Sequence, residues 1–240
     1  MIKHLLAGTA FVILPLAASA ADLPSRAMAP VLAQKAFSWN GMYVGASIGA
    51  VGLGTTVKGY YTYAAGDDGY DTKGNGGGAL AGASIGYNFQ MNNIVYGLEA
   101  DISGAMASVE KTETGTHGLG DGYVSNTTSK LNGLGTVRAR LGVAFDRTLV
   151  FATAGIAFGS FSHKFQNNED PQSNNFGSSV RTGWVVGAGV EQALTNSMSL
   201  KLEALYADFG TKKYTTSDDV EFVHFKDSAL VVRTGVNFRF

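Results

Sequence analysis

The sequence predicts an all-β fold, an eight-stranded antiparallel up-and-down transmembrane β-barrel. Three observations carry the prediction. The last eight residues alternate strictly, with Thr234, Val236, Phe238 and Phe240 on one side and Arg233, Gly235, Asn237 and Arg239 on the other. A period of two marks a strand, here with one apolar face and one face carrying two arginines. The other end of the chain reads as an export signal, so the apolar face suits lipid and the charged face suits a barrel interior. Seven further alternating segments precede the last one, joined in turn by long polar connections and tight turns, which is the layout of an outer-membrane barrel.

Residues 1–20 combine Lys3, an apolar stretch around Leu5, Phe11, Val12, Ile13 and Leu14, and the small-x-small ending Ala18-Ser19-Ala20. These are the three parts of a signal peptide, with cleavage expected after Ala20. Residues 21–37, with two prolines and several alanines, are expected to form a flexible periplasmic lead-in, a plug being the alternative, and residues 38–240 the barrel. No later stretch approaches ~20 continuous apolar residues, so no membrane helix is expected. Cysteine is absent, which excludes disulfides and thiolate metal sites. Of 18 Lys+Arg one is Lys3, leaving 17 against 19 Asp+Glu after cleavage, a net charge of −2. That balance speaks against a nucleic-acid partner. Glycine (32), Phe (14) and Tyr (10) dominate, a composition suited to strands and poor for helices.

The first strand is expected at about 39–52, with Met42, Val44, Ala46, Ile48 and Ala50 on its apolar face. The second, about 78–90, turns Ala79, Ala81, Ala83, Ile85, Tyr87 and Phe89 the same way. Between them 55–77 reads as a long polar loop, with Gly66-Asp67-Asp68-Gly69 and Gly74-Asn75-Gly76-Gly77 as breakers. A tight turn, Met91-Asn92-Asn93, leads to the third strand, about 94–107, with Tyr96, Leu98, Ala100 and Ile102 opposite Glu99, Asp101 and Ser103. After a second loop at 109–129 the fourth strand, about 131–145, sets Val137, Ala139, Leu141, Val143 and Phe145 against Thr136, Arg138, Arg140 and Gly142.

Asp146-Arg147-Thr148 turns the chain into the fifth strand, about 149–161, where Val150, Ala152, Ala154, Ile156 and Phe158 oppose Thr153, Gly155, Ala157 and Gly159. A third loop, 162–178, precedes the sixth strand, about 180–193, with Trp184, Val186, Ala188 and Val190 against Arg181, Gly183, Gly187, Gly189 and Glu191. The seventh, about 198–209 after Asn196-Ser197, has Leu200, Leu202, Ala204 and Tyr206 against Lys201, Glu203 and Leu205. A last loop, 210–228, leads to the eighth strand, 229–240. A soluble eight-stranded binder would carry large residues inside and charges outside. The inner faces of strands two, five and six are instead mostly Gly, Ser and Thr, which favours the membrane barrel.

The inward face collects Glu99, Asp101, Arg138, Arg140, Arg181, Glu191, Lys201, Glu203, Arg233 and Arg239. Charges in a narrow interior must be paired or hydrated. One reading is a set of salt bridges that fills the barrel; the other is a thin aqueous path. Eight strands enclose little more than their own side chains, which favours filling. The Glu99/Asp101 and Arg138/Arg140 pairs are expected to meet on neighbouring strands, and Glu191, Glu203 and Arg233 to meet across strands six to eight.

No catalytic constellation is apparent, so no enzyme is expected. His117, His163 and His224 sit in or beside the long loops, as solvated residues or as candidate contacts for haemin, and no metal site is expected; Asp67, Asp68 and Asp71 lack the full spacing of a calcium loop. Trp39, Tyr43, Tyr87, Phe89, Tyr96, Phe145, Phe209, Phe238 and Phe240 fall at strand ends and are expected to form interface girdles.

Trp39-Asn40-Gly41-Met42-Tyr43-Val44-Gly45, with Gly49 further on, resembles the W-x-G-x-Y-x-G opening of alphaproteobacterial outer-membrane β-barrels, a group including outer-membrane immunogenic, haemin-binding and opacity-protein-like porin proteins. The resemblance continues through Arg138-Ala139-Arg140-Leu141-Gly142, Leu202-Glu203-Ala204-Leu205-Tyr206 and the ending Val236-Asn237-Phe238-Arg239-Phe240. It implies a surface-exposed barrel in the outer membrane of a Gram-negative bacterium, with lipids and lipopolysaccharide as surroundings. It also implies Phe238 and Phe240 as the signal read by the barrel assembly machinery. The expected role is envelope integrity and surface contact, including envelope or host surface proteins through the loops. The alternatives are a small-solute porin and a loop-borne receptor or adhesin, haemin being one candidate ligand. The oligomeric state stays open.

Overall fold

The computed structural model describes residues 37–63, 66–116, 122–167, 174–215 and 221–240. The expected signal peptide, the lead-in up to residue 36 and His117 lie outside them. Eight strands follow in order: β1 (Gly41–Tyr63), β2 (Gly66–Met91), β3 (Ile94–Thr116), β4 (Gly122–Phe145), β5 (Thr148–Asn167), β6 (Asn174–Ala193), β7 (Met198–Thr215) and β8 (Glu221–Arg239). Each pairs antiparallel with its neighbours, and β1 pairs with β8 as well as β2, so the sheet closes into a barrel. Closure pairs the strand edges, which a hydrocarbon medium demands of any spanning sheet.

Side-chain alternation sorts the residues as the period of two requires. The outward face carries exposed apolar groups throughout, such as Ile48, Leu98, Ile102, Leu141, Ile156 and Leu202. On β8 the outward face from Leu230 to Phe240 is apolar apart from Thr234. At ~3.3 Å per residue and a tilt of ~40° that stretch stands ~25 Å tall, the height of a lipid-facing band.

The strands run well past this band, which corrects the reading of four long loops. Pairing continues from Thr55↔Gly74 up to Tyr63↔Gly66, from Glu110↔Thr128 up to Thr116↔Gly122, and in the same way between β5 and β6 and between β7 and β8. Glycines and polar residues interrupt any apolar alternation in the sequence of these segments. Beyond the membrane no apolar alternation is needed, and backbone pairing alone extends the hairpins. The tight turns are short as expected, with Asn92 (φ 56) and Asp146 (φ 52) in the left-handed region that Asn and Asp tolerate best among side-chain-bearing residues.

The interior is layered. Towards the long hairpins lies an apolar layer that includes Val51, Leu53, Leu80, Leu131, Leu134, Phe161, Val185, Leu205, Phe209 and Val231. The inner faces of β2 and β6 are rich in Gly and Ser as expected (Gly78, Gly82, Ser84 and Gly86; Gly183, Gly187 and Gly189), whereas β5 turns Leu149, Phe151 and Phe161 inward, which corrects the expectation for that strand. Glycine at 159 leaves room for the large neighbours, since a Cβ there would lie 2.5 Å from the Phe161 ring and 2.9 Å from the Phe209 ring. At the opposite, short-turn end, Trp39, Val95, Ala144, Leu149, Phe151 and Ala193 form a second buried cluster with Phe37 against it. Charged side chains fill the space between.

Three of the residues expected in interface girdles are therefore elsewhere. Trp39, Tyr43 and Phe209 are buried inside, whereas Tyr87, Phe89, Tyr96, Phe145, Phe238 and Phe240 face outward. Inward parity, shared by Tyr43 with Gly45 and Ser47, overrides the aromatic preference for an interface.

Candidate functional site

The charged layer begins with register. Glu99 on β3 sits directly opposite Arg138 on β4, and Glu203 on β7 opposite Arg233 on β8. Each pair is joined by salt bridges, that of Arg233 Nε to Glu203 Oε1 at 2.7 Å. These two wall pairs then reach each other across the lumen. Arg138 Nη1 lies 2.9 Å from Glu203 Oε2, Lys201 Nζ lies 2.8 Å from Glu99 Oε2, and Arg233 Nη1 lies 2.9 Å from Asp101 Oδ1. In a closed eight-stranded ring β3 and β7 stand on opposite walls, so the Lys201–Glu99 bridge spans the full interior.

Three carboxylates, Glu99, Asp101 and Glu203, thus face three cations, Arg138, Lys201 and Arg233, a neutral set of six. All are buried. Thr136 adds to the set: its hydroxyl donates to Asp101 and accepts from Arg138 Nε at 2.8 Å. The Tyr43 hydroxyl donates to Glu99 Oε2 at 2.7 Å and accepts from Arg140 Nη1 at 3.3 Å. Glycine at 86 makes this possible, because a Cβ there would sit 2.3 Å from the Tyr43 ring.

Tyr43 links the set to a second one. Arg140 pairs with Glu191, which also accepts from Ser199 Oγ at 2.5 Å and Asn237 Nδ2 at 2.9 Å. The Arg140 guanidinium stacks 3.8 Å from the Phe151 ring centroid, joining the charges to the short-turn cluster. Buried charges are tolerated when paired and hydrogen-bonded in this way.

The structure brings eight of the ten inward charges into this connected network and leaves two outside it. Arg181 lies towards the long hairpins and pairs with Asp227, which accepts from Thr55 Oγ1 at 2.8 Å. Arg181 Nη2 also donates to the carbonyl of Gly210 at 2.9 Å, exposed by a bulge in β7 at which Gly210 adopts φ 65. Arg239 stacks over Trp39 and Phe37, with ring centroids 4.5 and 4.7 Å away. Glu191 meets neither Glu203 nor Arg233; it reaches across to β4 instead.

Sequence reasoning missed Asp227, Tyr43, Ser199 and Asn237 as partners. All four have the inward parity of their strands, and parity would have found them. Of the histidines, His163 lies on β5 and His224 on β8, three strands apart. Asp67, Asp68 and Asp71 lie along β2. Among the described residues no three His, Cys, Asp or Glu side chains are grouped to hold a metal ion.

The family model described as the outer membrane protein beta-barrel domain matches residues 16–240. The chain belongs to that family. Within it, the chain is 32% identical over 212 residues to the 31 kDa outer-membrane immunogenic protein of Brucella melitensis, covering 85% of each chain. It is also 32% identical over 212 residues to the 22 kDa outer membrane protein of Rhizobium leguminosarum, covering 88% of this chain and 82% of that one. The outer membrane protein OprG from Pseudomonas aeruginosa, a solved structure, aligns over 84% of this chain and 97% of its own, at 10% identity and a TM-score of 0.46. This family member is an outer-membrane protein of a Gram-negative, alphaproteobacterial type of bacterium; its Brucella relative is named as an outer-membrane immunogenic protein and its Rhizobium relative as an outer membrane protein.

Proposed function

We propose that this protein is a structural barrel of the outer membrane, closed to solutes, whose projecting hairpins make the contacts of the cell surface. The observation that carries this reading is the bridging of opposite walls by Lys201–Glu99, Arg138–Glu203 and Arg233–Asp101. A porin of this width would need its charges to line the wall and leave the axis open. Here the charges meet at the axis, and an apolar layer lies above them. The extended hairpins support the surface role, as do relatives named for immunogenicity. Outer-leaflet lipid and lipopolysaccharide form the barrel's surroundings in this account, and the barrel assembly machinery inserts it by way of Phe238 and Phe240.

Liposome swelling tests the proposal. Vesicles holding the refolded barrel are transferred into iso-osmotic solutions of sugars of graded size. Swelling no faster than in protein-free vesicles is expected for every sugar. Size-dependent swelling would overturn the closed barrel in favour of a porin.

A further inference from the structure

Among the described residues Arg239 is the inward arginine with no carboxylate partner, and what it touches is the chain entering the barrel. Its guanidinium stacks on Phe37 and Trp39 and donates to the Ser38 carbonyl at 3.1 Å. The entering segment is tied down elsewhere too. The Trp39 backbone amide donates to Gln90 Oε1 at 2.6 Å, and Asn40 Oδ1 accepts from the Gln90 amide at 2.5 Å, beside the turn between β2 and β3. The Trp39 indole donates to the Asp146 carbonyl at 3.3 Å, in the turn between β4 and β5, and Arg147 of that turn stacks 5.4 Å from the Phe37 ring. Residues 37–40 therefore cross the short-turn mouth and touch β2, the β4–β5 turn and β8.

Trp39 is 0% exposed and shares one buried cluster with Val95 of β3 and with Leu149 and Phe151 of β5. Gly41 then adopts φ 122, which bends the segment upward into β1, and a Cβ there would meet the Phe240 carbonyl at 2.8 Å. We infer that residues 37–40 form a strap that stoppers the periplasmic mouth and bolts the first strand to the last, with Trp39 as stopper and Arg239 as latch. The strap is the one part of the described closure that is not barrel wall, so it can be released while the wall stays paired. Its geometry also explains the local sequence: an indole to fill the mouth, an amide side chain to hold the β2 end, and a glycine to make the bend.

The chain's two tryptophans make the test direct. Trp184 faces lipid, so in a Trp184→Phe background the fluorescence of the refolded barrel comes from Trp39 alone. Aqueous iodide should quench this signal far less than it quenches a free indole. Arg239→Gln should raise the quenching constant several-fold while the heat-modifiable gel shift of the folded barrel persists, and Arg239→Lys should fall between. Should Arg239→Gln not fold, Gln90→Ala, which removes one tether of the strap, should raise quenching in the same direction. Quenching of the parent protein at the level of free indole would overturn the strap; quenching unchanged by Arg239→Gln would overturn the latch. Both outcomes are independent of solute flux, so the closed-barrel proposal and this one fail separately.

Discussion

Arg138 of β4 and Glu203 of β7 meet across the lumen at 2.9 Å, although their strands stand three apart around the barrel. Neither charge can be removed alone without leaving the set unbalanced. Arg138→Ala leaves three carboxylates facing Lys201 and Arg233, and should destabilise the folded barrel by about 3–5 kcal/mol in a urea titration followed by gel shift. Arg138→Met combined with Glu203→Leu restores two carboxylates against two cations. The double variant should therefore lose clearly less than the sum of the two single ones.

The outward face makes a separate prediction. Leu98 is exposed on β3 between Tyr96 and Ala100, in the apolar band. Leu98→Arg should cost about 2–4 kcal/mol for folding into bilayers, the larger value applying at the midplane. The same change at Lys73, exposed on β2 beyond the band, should leave folding free energy unchanged within error.

Glycine at 86 is predicted to be required for the position of Tyr43. Gly86→Ala would push the new methyl into the ring and displace the hydroxyl from Glu99. The expected loss is about 1–3 kcal/mol, typical of overpacking. Tyr43→Ala in the Gly86→Ala background should cost no more than Tyr43→Ala alone, because the clash is then gone.

Assembly gives a cellular prediction. Phe240 is exposed, and its backbone amide donates to the Met42 carbonyl at 3.0 Å, closing the seam between β1 and β8. Deleting Phe240 should leave exported chain in the periplasm, not heat-modifiable on a gel. Normal insertion of the truncated chain would show that the terminal aromatic is not the assembly signal.

The strand count and the inward or outward sense of the spanning residues were legible because period-two alternation is local and repeated in every strand. Glu99 with Arg138 could be placed together from strand order alone. The bridges from Lys201 to Glu99 and from Arg233 to Asp101 could not, since they depend on which walls face each other once the sheet curls. The hairpins beyond the band were misread as loops because residues such as Lys111, Thr112, Glu113 and Thr114 show no apolar alternation. Backbone pairing persists there without that signal. Trp39 was misplaced for a related reason: an aromatic at a strand end suits an interface and a barrel mouth equally well, and only the contacts with Asp146, Gln90 and Arg239 decide between them.

Single-channel recording in planar bilayers tests the central claim, that the bridged charges close the lumen. Purified, refolded protein is predicted to give no stable conductance steps, and Arg138→Ala, which removes its bridges to Glu99, Asp101 and Glu203, to give small and irregular events if any. Reproducible steps from the unaltered protein, shifted in size or ion selectivity by Arg138→Ala or Glu191→Ala, would contradict the account and make this barrel a porin.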